Sequence, residues 1–400
     1  MMKVKPTLKD IELSIKKLTS NFPKIVQSEV IGYSVEKRPI WMVKITDFSI
    51  PDDNKSNVLI VGGHHGSEES GRASCLGLLE WLVTKEAEKV RKNQIVLVIP
   101  CINVDGAYYN TPNNANGVNL CRDYSIKDGP TQPETKCVLE IAEKYQPDVV
   151  VDVHGLGGGS VHEMVMITPT REYTEDDWIF NLLAFEMRKS AEKKGYPQAG
   201  HSLSWHGWFD DDKKGNIIHL VPYCYKKFHS IGLLTESNEA TFTLREMKES
   251  GSARLISLLK MGVKRYPWEY YSGYPNRILS GSFFLSIVSY GKTEEQRRKS
   301  IPDILNNMDY FNIGRVYPEK RGIIKVNLEY KGKELKKGIG VRVRVKDFIK
   351  VKGVSINDKV MEYSEENGYI KWCDSCSTFV QFNMPVLLSG RYSLKIKYKI

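Results

Sequence analysis

Four hundred residues exceed what one ordinary compact domain holds, so two are expected; 41% hydrophobic and 26% charged residues are ordinary values for a globular chain. No stretch approaches the ~18 apolar residues that span a bilayer, and residues 1–17 lack an apolar run followed by a small-residue cleavage site, so the expectation is a soluble, cytoplasmic protein. The net charge of +10 is local: residues 310–400 carry 19 Lys and Arg against 9 Asp and Glu, while residues 1–309 carry 39 of each.

All eight histidines fall between His64 and His229, outside the basic segment. The two asymmetries together suggest a chemical N-terminal domain and a basic accessory domain. Seven cysteines, an odd number scattered over the whole length, argue against a disulfide framework. Cys75 and Cys101 sit among apolar residues and read as core.

In chain order, residues 7–18 read as a helix, with Leu8, Ile11, Ile15 and Leu18 on one face and a capping-box start at Thr7 and Asp10. Residues 40–45 read as a strand, and 57–61 as a short, continuously apolar one buried on both faces. A helix is expected over 69–83, a buried strand over 94–100 and a helix over 131–145. Strands at 148–153 and 231–235 and helices at 175–194 and 243–264 follow. Alternation of this kind predicts an α/β fold: a central sheet with helices on both faces.

The pattern changes after Tyr266. Residues 266–313, rich in Tyr, Pro, Gly and Ser, read as a connecting segment with one helix over 293–308. From Gly314 no helix is expected; β-rich stretches at 323–330, 340–345, 369–373, 379–382 and 392–398 predict a small all-β sandwich. The organisation expected is therefore a catalytic domain over 1–265, a connector over 266–313 and an accessory domain over 314–400. The basic surface of the accessory domain suits an anionic polymer or membrane surface, or serves only solubility.

Residues 61–71, Val-Gly-Gly-His-His-Gly-Ser-Glu-Glu-Ser-Gly, leave a buried strand and enter a helix. His65 and Glu68, three residues apart at such a junction, can face one point, and that pair of donors suits Zn²⁺. His154 stands where the strand over 148–153 runs out, and strand ends along one edge of an open α/β sheet form its functional crevice. Glu236 closes the apolar strand 231–235. Each feature alone has a plainer reading: a chance spacing, a buried hydrogen-bonded histidine, a salt-bridged carboxylate.

Taken in order, these features resemble the zinc carboxypeptidase family. Residues 32–39, Gly-Tyr-Ser-Val-Glu-Lys-Arg-Pro, resemble its early G-x-S-x-x-x-R hairpin. Residues 103–106, Asn-Val-Asp-Gly, resemble N-P-D-G, and residues 117–122, Gly-Val-Asn-Leu-Cys-Arg, resemble G-V-D-L-N-R. Tyr225 precedes Glu236 by eleven residues, as the family's tyrosine precedes its glutamate. The resemblance covers about residues 25–262. It implies one Zn²⁺ held by His65, Glu68 and His154, as in the two-His-one-Glu site of carboxypeptidase A, with Glu236 as general base. It also implies substrate contacts from Cys121, Arg122 and Tyr225, and a peptide or amide substrate with a free carboxylate.

Two departures bear on the substrate. The family's Asn-Arg carboxylate clamp is Cys121-Arg122 here, so one amide donor is lost. Pro112 stands near where the carbonyl-polarising arginine is expected; Arg72 is the nearest substitute. The reading is a metallocarboxypeptidase. The alternatives are a deacylase or amidase on a modified substrate, and a binding protein that has lost efficient catalysis. His64 reads as a neighbour of His65 rather than a ligand. His162, His201, His206, His219 and His229 have no ligand spacing. Asp210–Asp212 read as a solvated loop, and Cys373 with Cys376 as a reduced pair. Val221 falls near the family's specificity position.

Overall fold

The computed structural model describes residues 6–52, 55–156, 163–167, 177–198, 203–204, 219–228, 230–262, 278–282, 285–288, 293–307, 310–313, 317–320, 322–345, 349–364, 366–373 and 378–399. The chain divides into two compact units, residues 1–52 with 56–260, and residues 53–55 with 261–400.

The first unit opens with α1 (Leu8–Asn21), which buries Ile11 and Ile15. Its start is the expected capping box: the Asp10 amide donates to Thr7 Oγ1 at 3.1 Å and the Thr7 amide to Asp10 Oδ2 at 2.9 Å. The hairpin β1 (Val26–Tyr33) and β2 (Pro39–Ile45) leads into β3 (Ser56–Gly62). Then follow α2 (Glu69–Leu82), α3 (Glu88–Asn93), β4 (Gln94–Ile99), α4 (Val104–Tyr109) and α5 (Pro133–Tyr145). The remainder is β5 (Val149–Leu156), β6 (Met164–Ile167), α6 (Asp177–Glu192), β7 (Leu203–Ser204), α7 (Leu220–Phe228), β8 (Ile231–Asn238) and α8 (Leu244–Met261).

These strands form one mixed eight-stranded sheet in the order β1-β2-β4-β3-β5-β8-β6-β7. Strands β4, β3, β5 and β8 run parallel at its centre. Val58–Val61 of β3 are fully buried, as a strand covered on both faces requires. Helix α2 packs on β3 and β5, α7 on β5 and β8, and α6 on β6 and β8. Because the central strands are parallel, their C-terminal ends lie along one edge. Gly62 pairs with Val153, and His154 with Glu236.

Strand β1 escaped the sequence reading because it is an edge strand: only Val26 is fully buried, so its alternation is faint. His154 was expected just past its strand; β5 instead runs on to Leu156, so His154 lies inside the ladder.

The second unit is all antiparallel β apart from α9 (Glu294–Leu305) among the described residues. One sheet has the order β17-β18-β14-β10-β9, from Tyr369–Cys373, Thr378–Met384, Ile339–Val345, Leu285–Val288 and Ile278–Ser282. The other has the order β11-β13-β19-β15-β16, from Phe311–Ile313, Ile323–Tyr330, Gly390–Lys399, Lys350–Ile356 and Lys359–Met361. Strand β12 (Tyr317–Lys320) also pairs with β13. Val341, Val343, Val380 and Phe382 from the first sheet share one core with Val326, Leu328, Leu394 and Ile396 from the second.

The expectation of a connector over 266–313 is corrected at this point. Leu285 pairs with Val343, Phe311 packs against Tyr330 with tilted rings whose centroids are 4.7 Å apart, and Ile304 of α9 is fully buried in the sandwich core. Residues 278–313 therefore build the second unit. Strand β15 was missed because a bulge between Val351 and Gly353 breaks its two-residue period. No described helix is long and apolar enough to cross a membrane.

Candidate metal centre and active site

The site begins where β3 ends. Gly63 takes φ +70, which turns the chain out of the strand and is open to glycine at little cost. Gly66 lies so close to α4 that a Cβ there would fall 2.0 Å from the carbonyl carbon of Gly106. Asn103 clamps this turn: its amide donates to the Gly63 carbonyl at 3.0 Å and its Nδ2 to the His64 carbonyl at 3.1 Å. The hairpin motif closes on the same place, with Ser34 Oγ 2.7 Å and Arg38 Nη1 2.6 Å from Asp105 Oδ1. Two of the sequence landmarks thus act as scaffold for the turn that carries His65.

His65 and His154 meet at Glu68, which precedes the first turn of α2. His65 Nδ1 lies 2.5 Å from Glu68 Oε1, and His154 Nδ1 lies 2.9 Å from Glu68 Oε2. The opposite ring edges are also held: His65 Nε2 is 3.2 Å from Asn119 Oδ1, and His154 Nε2 is 2.9 Å from Asp152 Oδ2. Both imidazoles therefore present Nδ1 to one point, with the other nitrogen fixed from behind, the support a metal-ligating histidine requires.

A second cluster shares His154. His64 Nδ1 lies 2.7 Å from Asp152 Oδ1 and its Nε2 2.6 Å from Tyr124 Oη. Donor atoms of His64, Asp152 and His154 are close enough together to bind a cation, as are those of His65, Glu68 and His154. The two differ in access. The side chains of His64 and Asp152 are 0% and 3% exposed, against 21% for His65 and 14% for Glu68. A catalytic ion keeps one position open to water or substrate, which favours the outer trio. In the inner trio both histidines are bound to the two oxygens of one carboxylate, the arrangement of a support.

The electrostatics fit a cation at the outer trio. Burial alone would raise the Glu68 carboxyl, but the charge and hydrogen bonds of His154, joined by His65, outweigh it and bring it to about 2. Burial opposes protonation of His154, yet Asp152 and Glu68 overcome it and hold the imidazole protonated well above its ordinary range. Glu236 stands beside His154 across the β5–β8 ladder. Burial pushes its carboxyl up to about 8; Glu68 and Asp152 add to this and His154 only partly offsets it. Its Oε2 is buried with no hydrogen-bond partner among the described residues. Two imidazole Nδ1 atoms, one carboxylate and an adjoining unpartnered carboxyl oxygen are a donor set suited to Zn²⁺ and its water.

The remaining candidates separate. Arg122 is exposed, in a 3₁₀ turn (Leu120–Arg122) capped by Asn119. Asp105 binds Arg38, and Asp123 accepts from the amides of Thr131 and Gln132 at 2.9 and 2.8 Å, so neither is paired with Arg122. Cys121 is buried, its Sγ 3.8 Å from His154 Nε2 and 3.3 Å from His219 Nδ1. Arg72 donates through Nη1 to the carbonyls of Gly66 at 2.6 Å and Glu68 at 3.1 Å, so it shapes the ligand turn instead of reaching a substrate. Tyr225 and Val221 are buried in α7, which packs on β5 and β8. Cys75 and Cys101 are core residues, as expected. His162, His201, His206, His229, Asp210–Asp212 and Cys376 lie outside the described residues.

Asp152, His64, Asn119 and His219 were missed. Asp152 was legible: two residues before His154 in a strand, it must share that residue's face. His219 carries no local signal; folding brings it to Cys121 across 98 positions. Burial lowers its imidazole to about 3, so it is neutral there.

Residues 11–217, just over half the chain, match the zinc carboxypeptidase family, Peptidase M14. The chain belongs to that family. Among its relatives, carboxypeptidase SOL1 of Arabidopsis thaliana is 29% identical over 158 residues, 36% of this chain and 32% of that protein. Carboxypeptidase D of Homo sapiens is 26% identical over 166 residues, 36% of this chain and 12% of that protein. The matches thus span about a third or less of these relatives' length. Bovine thrombin-activatable fibrinolysis inhibitor, solved in complex with tick carboxypeptidase inhibitor, superposes with TM-score 0.52 at 17% identity, over 64% of this chain and 97% of that one. Carboxypeptidase A of Helicoverpa armigera gives 0.53 at 15% identity, over 64% and 73%. Both structures share the mixed α/β fold of the first unit.

Proposed function

We propose that the chain is a zinc metallocarboxypeptidase that removes C-terminal residues from a peptide. The observation that carries this is the convergence of His65 Nδ1 and His154 Nδ1 on Glu68 beside the unpartnered Glu236 Oε2. Zn²⁺ held by His65, Glu68 and His154 would polarise the scissile carbonyl and lower the pKa of a bound water to about 7. Glu236 accepts the proton of the attacking water and returns it to the leaving nitrogen. Asp152 and Asn119 hold the two imidazoles in register. Arg122, exposed and without an ion pair among the described residues, receives the substrate's terminal carboxylate through its planar fork. The test is hydrolysis of N-blocked peptides with a free C-terminal carboxylate by the zinc-loaded protein, with loss on chelation; no turnover on any member of such a panel would overturn the reading.

One observation favours a second substrate class. The family's clamp asparagine is Cys121, and its thiol faces His219 and not an open amide donor position. A substrate with a blocked or altered carboxylate would then be hydrolysed by the same machinery. The discriminating measurement is kcat/KM on the same peptide as free acid and as amide.

The accessory unit's basic face supports a separate proposal, that it meets an anionic surface. Register sets Lys325 opposite Lys395 and Lys350 opposite Lys399, with Lys397 between them on β19. Lys395 is already paired with Asp358 at 2.8 Å; Lys350, Lys397 and Lys399 form an exposed row of like charge, which is unfavourable in a sheet and which an anionic partner would relieve. Salt-sensitive cosedimentation with phosphatidylserine vesicles, weakened in Lys397→Glu/Lys399→Glu, is the expected result; no binding at low ionic strength would remove the idea.

A further inference from the structure

Behind the end of β8 lies a buried charged network that the proposed chemistry does not touch. Arg254 of α8 is fully buried, and its guanidinium addresses β8 directly. Nη1 donates to the carbonyl oxygen of Glu236 at 2.8 Å, and Nη2 donates to Ser237 Oγ. Nη2 also lies 3.3 Å from Oε1 of Glu163, another fully buried side chain, which immediately precedes β6. Glu163 Oε1 accepts from the Asn238 amide at 3.4 Å. Its Oε2 accepts from Gln198 Nε2 at 2.8 Å and from Ser250 Oγ of α8. Two opposite charges from two different elements thus grip three consecutive residues, Glu236, Ser237 and Asn238.

Holding α8 against β8 does not need this. Apolar side chains of similar volume would pack the same space without the desolvation cost of two buried ions, and such replacements are often neutral or stabilising. What the pair adds is direction. A planar fork with fixed donor geometry sets where one carbonyl and one hydroxyl sit, and the carbonyl is that of the residue whose carboxyl adjoins the ligand trio. We propose that Arg254, held by Glu163, is a positioning residue for Glu236: it fixes the backbone that carries the general base. This rests on the reading of Glu236 as that base.

The test removes both charges together, since Arg254→Ala alone strands Glu163 in the interior. In Glu163→Gln/Arg254→Met the expected result is a folded protein that binds one equivalent of zinc with unchanged affinity. Hydrogen exchange should accelerate at the Ser237 and Asn238 amides and stay unchanged along β5. On the best N-blocked peptide substrate, kcat should fall about ten- to a hundredfold with KM little changed, the scale of a misplacement of about 1 Å. Arg254→Lys keeps the charge but not the fork, and should recover less than half of the loss. Millimolar guanidinium, but not ammonium, should partly restore kcat to Arg254→Ala wherever that variant folds.

Unchanged exchange at 237–238, or wild-type kcat in the double variant, would overturn the proposal. So would a general loss of zinc and thermal stability in step with activity, which marks a purely structural pair. If Glu236→Gln itself retains turnover, the base reading has failed instead, and the exchange measurement still decides whether the clamp exists.

Discussion

The two units place charge in opposite ways. In the first, Asp105, Asp152, His64, His154, Glu163 and Arg254 are buried, several at 0% exposure, and each is tied to another charged or polar group. Among the described residues of 261–400, Arg342 is the single buried charged side chain, and the sandwich core is otherwise built from Val, Ile, Leu, Phe, Tyr and Met. Lys350, Lys352, Lys397 and Lys399 on its strands are exposed. Buried charge costs free energy unless each ion is paired and hydrogen-bonded. Buried charge is concentrated in the first unit; in the second it is limited, among the described residues, to Lys55 and Arg342.

Metal removal should show the contrast most sharply. His154→Ala, which takes a ligand from the outer trio and the partner of Asp152 from the inner one, should reduce bound zinc from about one equivalent to none and abolish turnover. Full retention of zinc in a His65→Ala/His154→Ala variant would place the metal elsewhere. Next, Glu236→Gln should keep the zinc while kcat falls ~10²–10⁴-fold; a near-normal kcat would mean the buried carboxyl is structural, as in any core network. Arg122→Ala should cost about 2–5 kcal/mol on free-acid substrates, some thirty- to several-thousand-fold in kcat/KM, and erase any preference over the amide. Equal losses on acid and amide would return Arg122 to a loop-holding role.

The pH dependence of the metal-free protein is a finer probe. The folded Glu236 carboxyl at about 8 lies above its ordinary value of 4.5, so native structure prefers its neutral form. That preference stabilises fully below about 4.5 relative to the ionised state, and stability is lost as pH rises toward 8. His154, raised above 6.5 by Asp152 and Glu68 against burial, acts in the same sense. Glu68, brought to about 2, acts oppositely, and its contribution is lost only as pH falls below about 4.5. The urea midpoint of the chelated protein should therefore fall between about pH 5 and 8, and Glu236→Gln should flatten that slope. Added zinc should do the same, with release of protons. A flat profile in the chelated wild type would show that the cluster is solvated.

The smallest effect on activity is expected from the other unit. Ile396→Ala removes a 1% exposed side chain from the sandwich core and should destabilise that unit by about 2–5 kcal/mol. Because no histidine and none of the proposed site residues lies there, kcat/KM of the folded protein should not change; a loss of turnover without unfolding would show that the accessory unit completes the site.

Much of this was readable in the chain itself. The continuous apolar run Val58–Val61 pointed to a strand buried on both faces, and the Thr7 and Asp10 spacing to a helix start. The order of His65, Glu68, His154 and Glu236 along the chain marked the family, because strand-end chemistry in a parallel sheet recurs at fixed places in the strand sequence. Composition marked the lysine-rich C-terminal segment but not where the second unit begins. Local pattern failed where a strand lies at an edge, as β1 does, where a bulge breaks the period, as in β15, and where 278–313 owe their place to partners far along the chain. The tertiary structure alone decided which nitrogen of each imidazole faces Glu68, that Asp152 and Asn119 hold the far edges, and that His219 meets Cys121. It alone brought Arg254 and Glu163, 91 residues apart, beneath Glu236. Periodicity reports which face a residue takes; which side chains share a buried point depends on how strands and helices stack, and burial, by shifting every charge it encloses, then sets what those groups can do.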